Sequence, residues 1–489
     1  MFEAPESNSV DFVDAVNSIG GRIAKSGNVG ITSLSLDSRQ VHPGTLFAAA
    51  PGHNHHGYEF AADAVRSGAC AILTDSMGEG TVLELGVPVA VVDDVRRSVA
   101  LLSPAVYGSS GAMTLLGVTG TNGKTSVALM MAGGLRATGI ATGLIGTLGV
   151  NVGERWEKCD RTTPEAPDLH RIFRECRSMG IDHVVMEVSS IAASESRVVG
   201  LDFSVMVFTN LSQDHLDYHG TMEKYYLAKR SMFDAGNCRH AVVCVDTEWG
   251  ARLASEVDIP VTTVSTYGRD ATWCAEDIEE WDVRGPGFHA RQSLRVPRFV
   301  IANRLCALAA LDAFGIPAHR AWDAISPVHV PGRMELVARV DDAPIWVDYA
   351  HTPDATERAL SAVRDHTAGR LIAVLGAGGD RDPQKRGSMG RVSAQIADLV
   401  IVTDDNPRSE DPGAIRAAVL EGAHRVGEAE VIEIPHREDA IRYAITSCRP
   451  GDTVMILGKG AETVQELARG RVPFDDREVA RRIAREATS

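Results

Sequence analysis

Apolar, β-branched runs recur along the chain: MTLLGVTG (113–120), DHVVMEVSS (182–190), SVMVFTNL (204–211) and HAVVCVD (240–246), then APIWVDYA (343–350), RLIAVLGAGG (370–379), DLVIVTDDN (398–406) and TVMILGKG (453–460). Their hydrophobicity is continuous rather than alternating, the pattern of a strand covered on both faces, so they predict buried parallel strands. Helical patterns lie between many of them, for instance SVALMMAGGLRATG (126–139) and ANRLCALAALDAFG (302–315), the second ending in a glycine where a C-cap is expected. Strands alternating with helices imply open α/β sheets. Polar or glycine-rich clusters follow directly after the strands, at 120–125, 187–190, 210–219, 348–354, 378–386, 404–408 and 459–462. Ligands of doubly wound sheets bind beyond the carboxyl ends of the strands, so these clusters are expected to face shared clefts.

The first hundred residues read differently. A turn-rich run, SLDSRQVHPGTLFAAAPGHNHHGYEF (35–60), precedes the α/β-like ADAVRSGACAILTD (62–75), which implies a separate, smaller domain. The expected division is therefore a small N-terminal α/β domain (1–108), a central domain with a P-loop ATPase-like parallel sheet (109–334) and a C-terminal Rossmann-like domain (335–489). A chain of 489 residues with 44% hydrophobic content can bury several such cores. Its net charge of −16 repels a polyanion from most of its surface, which argues against nucleic acid as a partner. No apolar run approaches the roughly 18 residues of a membrane span, and MFEAPESNSVDF lacks the basic and greasy segments of a secretory signal. A cytoplasmic protein without membrane insertion is expected. The cysteines (70, 159, 176, 238, 244, 274, 306 and 448) are scattered without a C-x-x-C pair, as reduced thiols would be.

The most specific chemical signal is GVTGTNGKTSV (117–127). A loop of this kind between strand and helix turns backbone N–H groups toward an anion at the positive end of the helix dipole. Lys124 adds a point charge and the Thr125 hydroxyl can ligate Mg²⁺. The spacing is shorter than G-x-x-x-x-G-K-[ST], because Val118 stands where the first glycine would be. A tight turn with a solvated lysine is the plainer alternative. Glu187 ends a strand with a carboxylate, a hard oxygen donor suited to divalent cations. Asp214, His215, Asp217 and His219 crowd one loop more densely than a turn requires, the even alternative being a polar loop with helix-capping aspartates. Lys229 lies among Tyr225, Tyr226, Leu227, Met232 and Phe233, where a snorkelling lysine is the ordinary reading. In the last third, Asp380, Arg381, Lys385 and Arg386 and then Asp404, Asp405, Asn406 and Arg408 mix guanidinium forks with carboxylates, a set that suits a zwitterionic amino acid, with a pair of solvated turns as the competing reading.

Taken in order, LDSRQVHPGTLFAA, TGTNGKT, RTTPE, MEVSS, FTNLSQDHLDYHG, PGRMELV, DYAHTPDA, GGDRDPQKR, DDNPR and GKGAE resemble the motifs of the Mur ligase family of peptidoglycan synthesis over nearly the whole chain. The resemblance implies ATP-dependent amide formation through an acyl phosphate, with the shortened loop Gly120, Thr121, Asn122, Gly123, Lys124, Thr125 and Ser126 holding the ATP phosphates. It implies catalytic roles for Lys124, Glu187, His215 and Lys229, and two Mg²⁺ ions held by Thr125, Glu187, His215 and a Lys229 carbamylated by CO₂. Asn303, Arg333, Asp348 and His351 resemble nucleotide-holding positions. Asp37, Ser38 and Arg39 resemble the uridine-binding region, and Thr162, Thr163, Ser189 and Arg197 resemble contacts to the muramoyl peptide. Arg386, Asp405, Asn406, Arg408, Gly458 and Glu462 would clasp the incoming amino acid. The DDNPR form implies meso-2,6-diaminopimelate added to UDP-MurNAc-L-Ala-D-Glu, with Arg408 on the distal carboxylate. The alternatives are L-lysine as the amino acid, a different acceptor including that of a specialised-metabolite paralogue, or an ATP-binding scaffold without activity. Ile191 after MEVSS, Ala461 in GKGAE and the run GHNHHGYEF depart from the family pattern. A monomer is expected.

Overall fold

The computed structural model describes residues 9–52, 55–109, 113–159, 161–268, 270–277, 280–292, 297–328 and 330–487; His53 and Asn54 of the GHNHHGYEF run and the first eight residues lie outside them. All eight of the apolar runs form strands, four in a central sheet and four in a C-terminal one, and a third sheet is built from the N-terminal residues.

The N-terminal sheet has the order Arg22–Lys25, Val89–Val91, Ala69–Thr74, Thr45–Ala48, Ser33–Ser35, parallel except at its first strand. The helix Val95–Tyr107 covers it and leads into the central sheet.

The central sheet carries the site. Its parallel heart runs Thr142–Gly146, His183–Glu187, Thr114–Thr119, Phe203–Phe208, Ala241–Cys244, Val261–Ser265, Trp273–Asp277. Antiparallel strands extend both edges, Gly149–Val152 and Arg155–Glu157 on one side and Trp281–Gly285 and Phe288–Gln292 on the other. Successive residues point to opposite faces. Leu116, Val185 and Val205 meet the helices Lys124–Ala137 and Arg298–Ala313, while Leu115, Val184 and Met206 meet the helices Ala166–Ser178 and Met222–Arg230. That double coverage is why these strands carry apolar residues on both faces instead of alternating. The helix Arg298–Ala313 ends as expected, with Gly315 at φ +101°.

The third sheet has the order Glu335–Val340, Ala343–Asp348, Thr453–Leu457, Leu371–Leu375, Leu399–Val402, Glu430–Glu433, with only the first strand antiparallel. It joins the central domain through the segment around Gly332. A Cβ there would fall 2.1 Å from Ala461 N and 2.2 Å from the Gly460 carbonyl carbon, so connector and GKGAE loop touch backbone to backbone.

Candidate active site

The strand Thr114–Thr119 lies between His183–Glu187 and Phe203–Phe208, with Val118 opposite Glu187 and Thr119 opposite Phe208. That register brings three polar strand ends together at one edge. Gly120 (φ +144°) and Gly123 (φ +87°) shape the loop between them, and a side chain at either would collide: its Cβ would lie 1.9 Å from Thr209 Oγ1 or 2.3 Å from Asn303 Oδ1. Asn210 clamps the loop, its carbonyl accepting from Thr121 N at 2.9 Å and its Oδ1 from Asn122 N at 3.0 Å. Gly123 is the N-cap of the helix Lys124–Ala137 and no side chain among the described residues caps it, so first-turn N–H groups are available to an anion. Lys124 Nζ donates to the carbonyls of Gly120 and Thr121, each at 2.9 Å. Burial lowers its pKa, and the nearby carboxylates of Glu187 and Asp214 only partly oppose this.

Glu187 collects the neighbouring hydroxyls. Its carboxylate accepts from Thr147 N at 2.8 Å, Thr125 Oγ1 at 3.0 Å and Thr147 Oγ1 at 3.2 Å. Arg333 Nη2 reaches Thr125 Oγ1 at 3.4 Å, and its guanidinium lies 4.2 Å over the Tyr349 ring. Lys229 is fully buried beneath the loop, donating to Gly120 O at 2.9 Å and lying 4.7 Å over the Tyr225 ring. Desolvation, reinforced by the charge of Lys124, drives its pKa well below the ordinary lysine value. Asp214 joins three cationic or imidazole groups: Lys385 Nζ at 3.4 Å, His215 Nε2 at 3.5 Å and His351 Nε2 at 3.8 Å. Burial alone would raise its pKa, but these partners hold it well below the usual carboxylate range. His215, in the left-handed conformation at φ +52°, is pushed down to about 4 by burial against the partial opposition of Asp214, and so is neutral at neutral pH. Asp348 accepts from Met334 N at 2.7 Å and Ala350 N at 2.8 Å, and burial raises its pKa.

Thr162, Thr163, Ser189 and Arg197 gather on the other side of Glu187. Thr162 Oγ1 meets Thr147 Oγ1 at 3.1 Å, Thr163 Oγ1 donates to Glu187 O at 3.0 Å and accepts from Ser189 N at 3.0 Å, and Arg197 Nη1 donates to Thr163 O at 3.0 Å. Asp37 and Arg39 form their own fork in the N-terminal domain at 2.7 and 2.9 Å, beside Ser38. In the third domain, Asn406 Nδ2 donates to Glu462 Oε2 at 2.8 Å, and Lys459 Nζ bonds both Asn406 Oδ1 (2.9 Å) and Glu462 Oε2 (3.0 Å). Gly458 (φ +115°) is held bare by Asp405 Oδ2, 2.4 Å from where its Cβ would be. Arg408 donates to Glu466 Oε2 and Gly379 O, both at 2.7 Å. Arg386 is buried in a bidentate pair with Glu410 at 2.8 and 2.9 Å. Arg381 is exposed beside Arg408: a Cβ on Gly378 would lie 3.1 Å from Arg408 Nη1 and 3.8 Å from Arg381 Cγ.

Three family models match in order: the Mur ligase family catalytic domain over residues 30–106, the Mur ligase middle domain over 118–311 and the Mur ligase glutamate ligase domain over 332–460. The UDP-N-acetylmuramoyl-L-alanyl-D-glutamate–2,6-diaminopimelate ligase of Streptomyces coelicolor is 44% identical over 478 residues, covering 94% of each chain. The chain belongs to the Mur ligase family. The like-named ligase of Corynebacterium glutamicum is 45% identical over 476 residues, 93% of this chain and 92% of that one. Among solved structures, a UDP-N-acetylmuramoyl-L-alanyl-D-glutamate–2,6-diaminopimelate ligase superposes with TM-score 0.67 at 29% identity, covering 98% and 99% of the two chains. The MurF ligase of Thermotoga maritima in complex with ADP shares the fold at TM-score 0.60 and 18% identity, over 93% and 96%.

In this Mur ligase, no three His, Cys, Asp or Glu side chains among the described residues converge as a metal cage. Thr125 Oγ1 and the Glu187 carboxylate nevertheless offer paired hard oxygens beside the anion loop, a donor set that suits Mg²⁺ shared with phosphate oxygens. Lys229 touches Gly120 rather than Glu187 or His215, and His215 joins the centre through Asp214. Thr147 and Tyr225, which bond Glu187 and Thr121, were not singled out as site residues because an isolated threonine or tyrosine carries no spacing signal. Lys385 and Arg381 were visible only as members of a charged loop.

Proposed function

We propose that this chain is an ATP-dependent, ADP-forming amide ligase that adds meso-2,6-diaminopimelate to UDP-MurNAc-L-Ala-D-Glu during peptidoglycan precursor synthesis. The observation that carries the reading is chain-long identity of 44–45% to ligases named for that reaction, together with the Lys124, Thr125 and Glu187 cluster at the end of the central strands. The proposed domains are 1–108 for the UDP-sugar, 109–334 for ATP and catalysis, and 335–489 for the amino acid.

An acceptor carboxylate oxygen attacks the γ-phosphorus of ATP and ADP departs, leaving an acyl phosphate. The neutral amine of the incoming amino acid attacks the acyl carbon, and the tetrahedral intermediate loses phosphate and a proton to give the amide. Attack of one anion on another requires charge compensation, which the loop N–H groups and Lys124 provide. Bound Mg²⁺ would offset the remaining phosphate charge, with Thr125, Glu187, His215 and carbamylated Lys229 as its ligands. A depressed pKa supports that modification, since only a neutral Lys229 amine can bond CO₂, releasing a proton as the carbamate forms. Asn303, packed on Gly123, and Arg333, Asp348 and His351 would hold the nucleotide across the domain junction. Thr162, Thr163, Ser189 and Arg197 would hold the muramoyl peptide, with Asp37, Ser38 and Arg39 on the uridine.

Asp405, Asn406, Arg408, Gly458 and Glu462 would receive diaminopimelate. Arg386, paired with Glu410 beside them, would complete the clasp, and Arg381, exposed near Arg408, would add a further guanidinium. A cytoplasmic monomer is the proposed working state. The test is ADP release with UDP-MurNAc-L-Ala-D-Glu plus meso-diaminopimelate, L-lysine or no amine, with product masses recorded. Stimulation by diaminopimelate is expected; no stimulation by any amine would reject the ligase, and a preference for lysine would reject the role of Arg408.

A further inference from the structure

Glu165 stands where the N-terminal domain meets the central one. It occupies the N-cap position of the helix Ala166–Ser178, yet its carboxylate makes no cap hydrogen bond. It faces three guanidiniums instead: Arg161 Nη1 at 2.7 Å, Arg96 Nη1 at 3.1 Å and Arg197 Nε at 3.3 Å. Arg96 belongs to the helix Val95–Tyr107 of the N-terminal domain, so the pair crosses the seam. Glu195 completes the group, pairing with Arg197 and lying 3.8 Å from Arg96. Three guanidiniums against two carboxylates leave a net charge of 3 − 2 = +1 at this seam. Arg161, half-exposed, also acts on Asp37 of the N-terminal domain.

We infer that Glu165 is a positioning residue for acceptor binding: it fixes the direction of Arg197 and, through Arg96, holds the N-terminal domain in register with the central site. Arg197 is nearly inaccessible, and apart from Glu165 it is tied by Thr163 O and Glu195. With Glu165 neutral, one of its two carboxylate partners is lost and the guanidinium cluster repels itself. The acceptor, an anion spanning both domains, loses a preformed site, whereas ATP and diaminopimelate bind away from this seam. The inference rests on the ligase reading.

The experiment compares Glu165→Gln, Glu165→Asp and Arg96→Met with the wild type in steady-state ADP release, varying each substrate in turn. Glu165→Gln is expected to raise KM for UDP-MurNAc-L-Ala-D-Glu about tenfold, the scale of one charge-assisted contact. KM for ATP and diaminopimelate, and kcat, should stay within about twofold, and Glu165→Asp should recover most of the loss. Adding Arg96→Met to Glu165→Gln should cost less than the separate effects combined. An unchanged acceptor KM, or a parallel change in every KM and in kcat, would overturn the inference. Should Glu165→Gln not fold, Arg96→Met reads the same seam with a smaller rise confined to the acceptor, and its silence would overturn the inference equally. A wild type inert toward this acceptor with every amine would overturn the ligase reading and this inference together, a result distinct from an active wild type with an indifferent variant.

Discussion

Lys124 and Lys229 donate to one and the same acceptor, the carbonyl oxygen of Gly120, each at 2.9 Å. Two ammonium groups cannot share that position cheaply in a buried setting, and the charge of Lys124 is among the causes that depress Lys229. The more deeply enclosed lysine is therefore the one prepared to be neutral. Lys229→Ala should lower turnover at least about a hundredfold while nucleotide binding by titration calorimetry stays within a fewfold. Partial rescue by formate or acetate would follow from a carboxylate-like role; full activity without rescue would discard it.

Arg408 adopts φ +53°, and its Nε and Nη1 are engaged by Glu466 and Gly379. Its two-pronged geometry suits the distal carboxylate of diaminopimelate, and a lysine in its place cannot reproduce a planar fork. Arg408→Lys should raise KM for diaminopimelate between about tenfold and a hundredfold, corresponding to about 1.5–3 kcal/mol of charge-assisted hydrogen bonding, with KM for ATP unmoved. Equal losses toward diaminopimelate and L-lysine would contradict this.

His170 lies buried under the helix it belongs to, hydrogen-bonded through Nδ1 to Ser109 Oγ at 2.6 Å, and burial pushes its pKa down to about 4. The unfolded chain, with an ordinary histidine near 6.5, binds the proton more readily, so stability is complete above that value and is lost as pH falls from about 6.5 toward 4. At pH 5 the loss from this residue is about 2 kcal/mol. His170→Gln should flatten the pH dependence of Tm between pH 7 and 5, and a slope identical to wild type would refute the assignment.

Arg437 and Asp476, neither with any exposed side-chain surface, form a bidentate pair at 2.7 Å, and Arg437 Nη2 also donates to Leu457 O at 2.9 Å. Breaking such a pair strands a buried charge. Arg437→Met should cost about 3–5 kcal/mol in chemical denaturation, and Arg437→Met with Asp476→Leu should recover much of it. A double variant no better than the single one would show that the pair's worth lies elsewhere, in the bond to Leu457.

The framework was legible because burial on both faces writes itself into sequence: each continuous apolar run became a strand, with its polar cluster in the loop that follows. The antiparallel edges were harder to see, since Arg155–Glu157 and Phe288–Gln292 are short and mixed in polarity. Within the site, Lys124 and Thr125 could be found from the loop motif and Glu187 from its place at the end of a strand. Thr147 could not, because its link to Glu187 depends on Gly146 lacking a Cβ that would fall 2.2 Å from Glu187 Oε1. Arg386 shows another limit: its loop could be read from sequence, but its pairing with Glu410, beyond the next strand, could not.

Gly332 and Gly460 press bare main chain against main chain where the connector meets the loop 458–462, the one proposed to receive the amino acid. A fulcrum with no side chains to cushion it transmits displacement without slack, so a shift of residues 458–462 around an arriving amine would be passed at once to Arg333 and onward to Thr125. Filling of the last substrate pocket and alignment of the first reacting group would then be a single mechanical event.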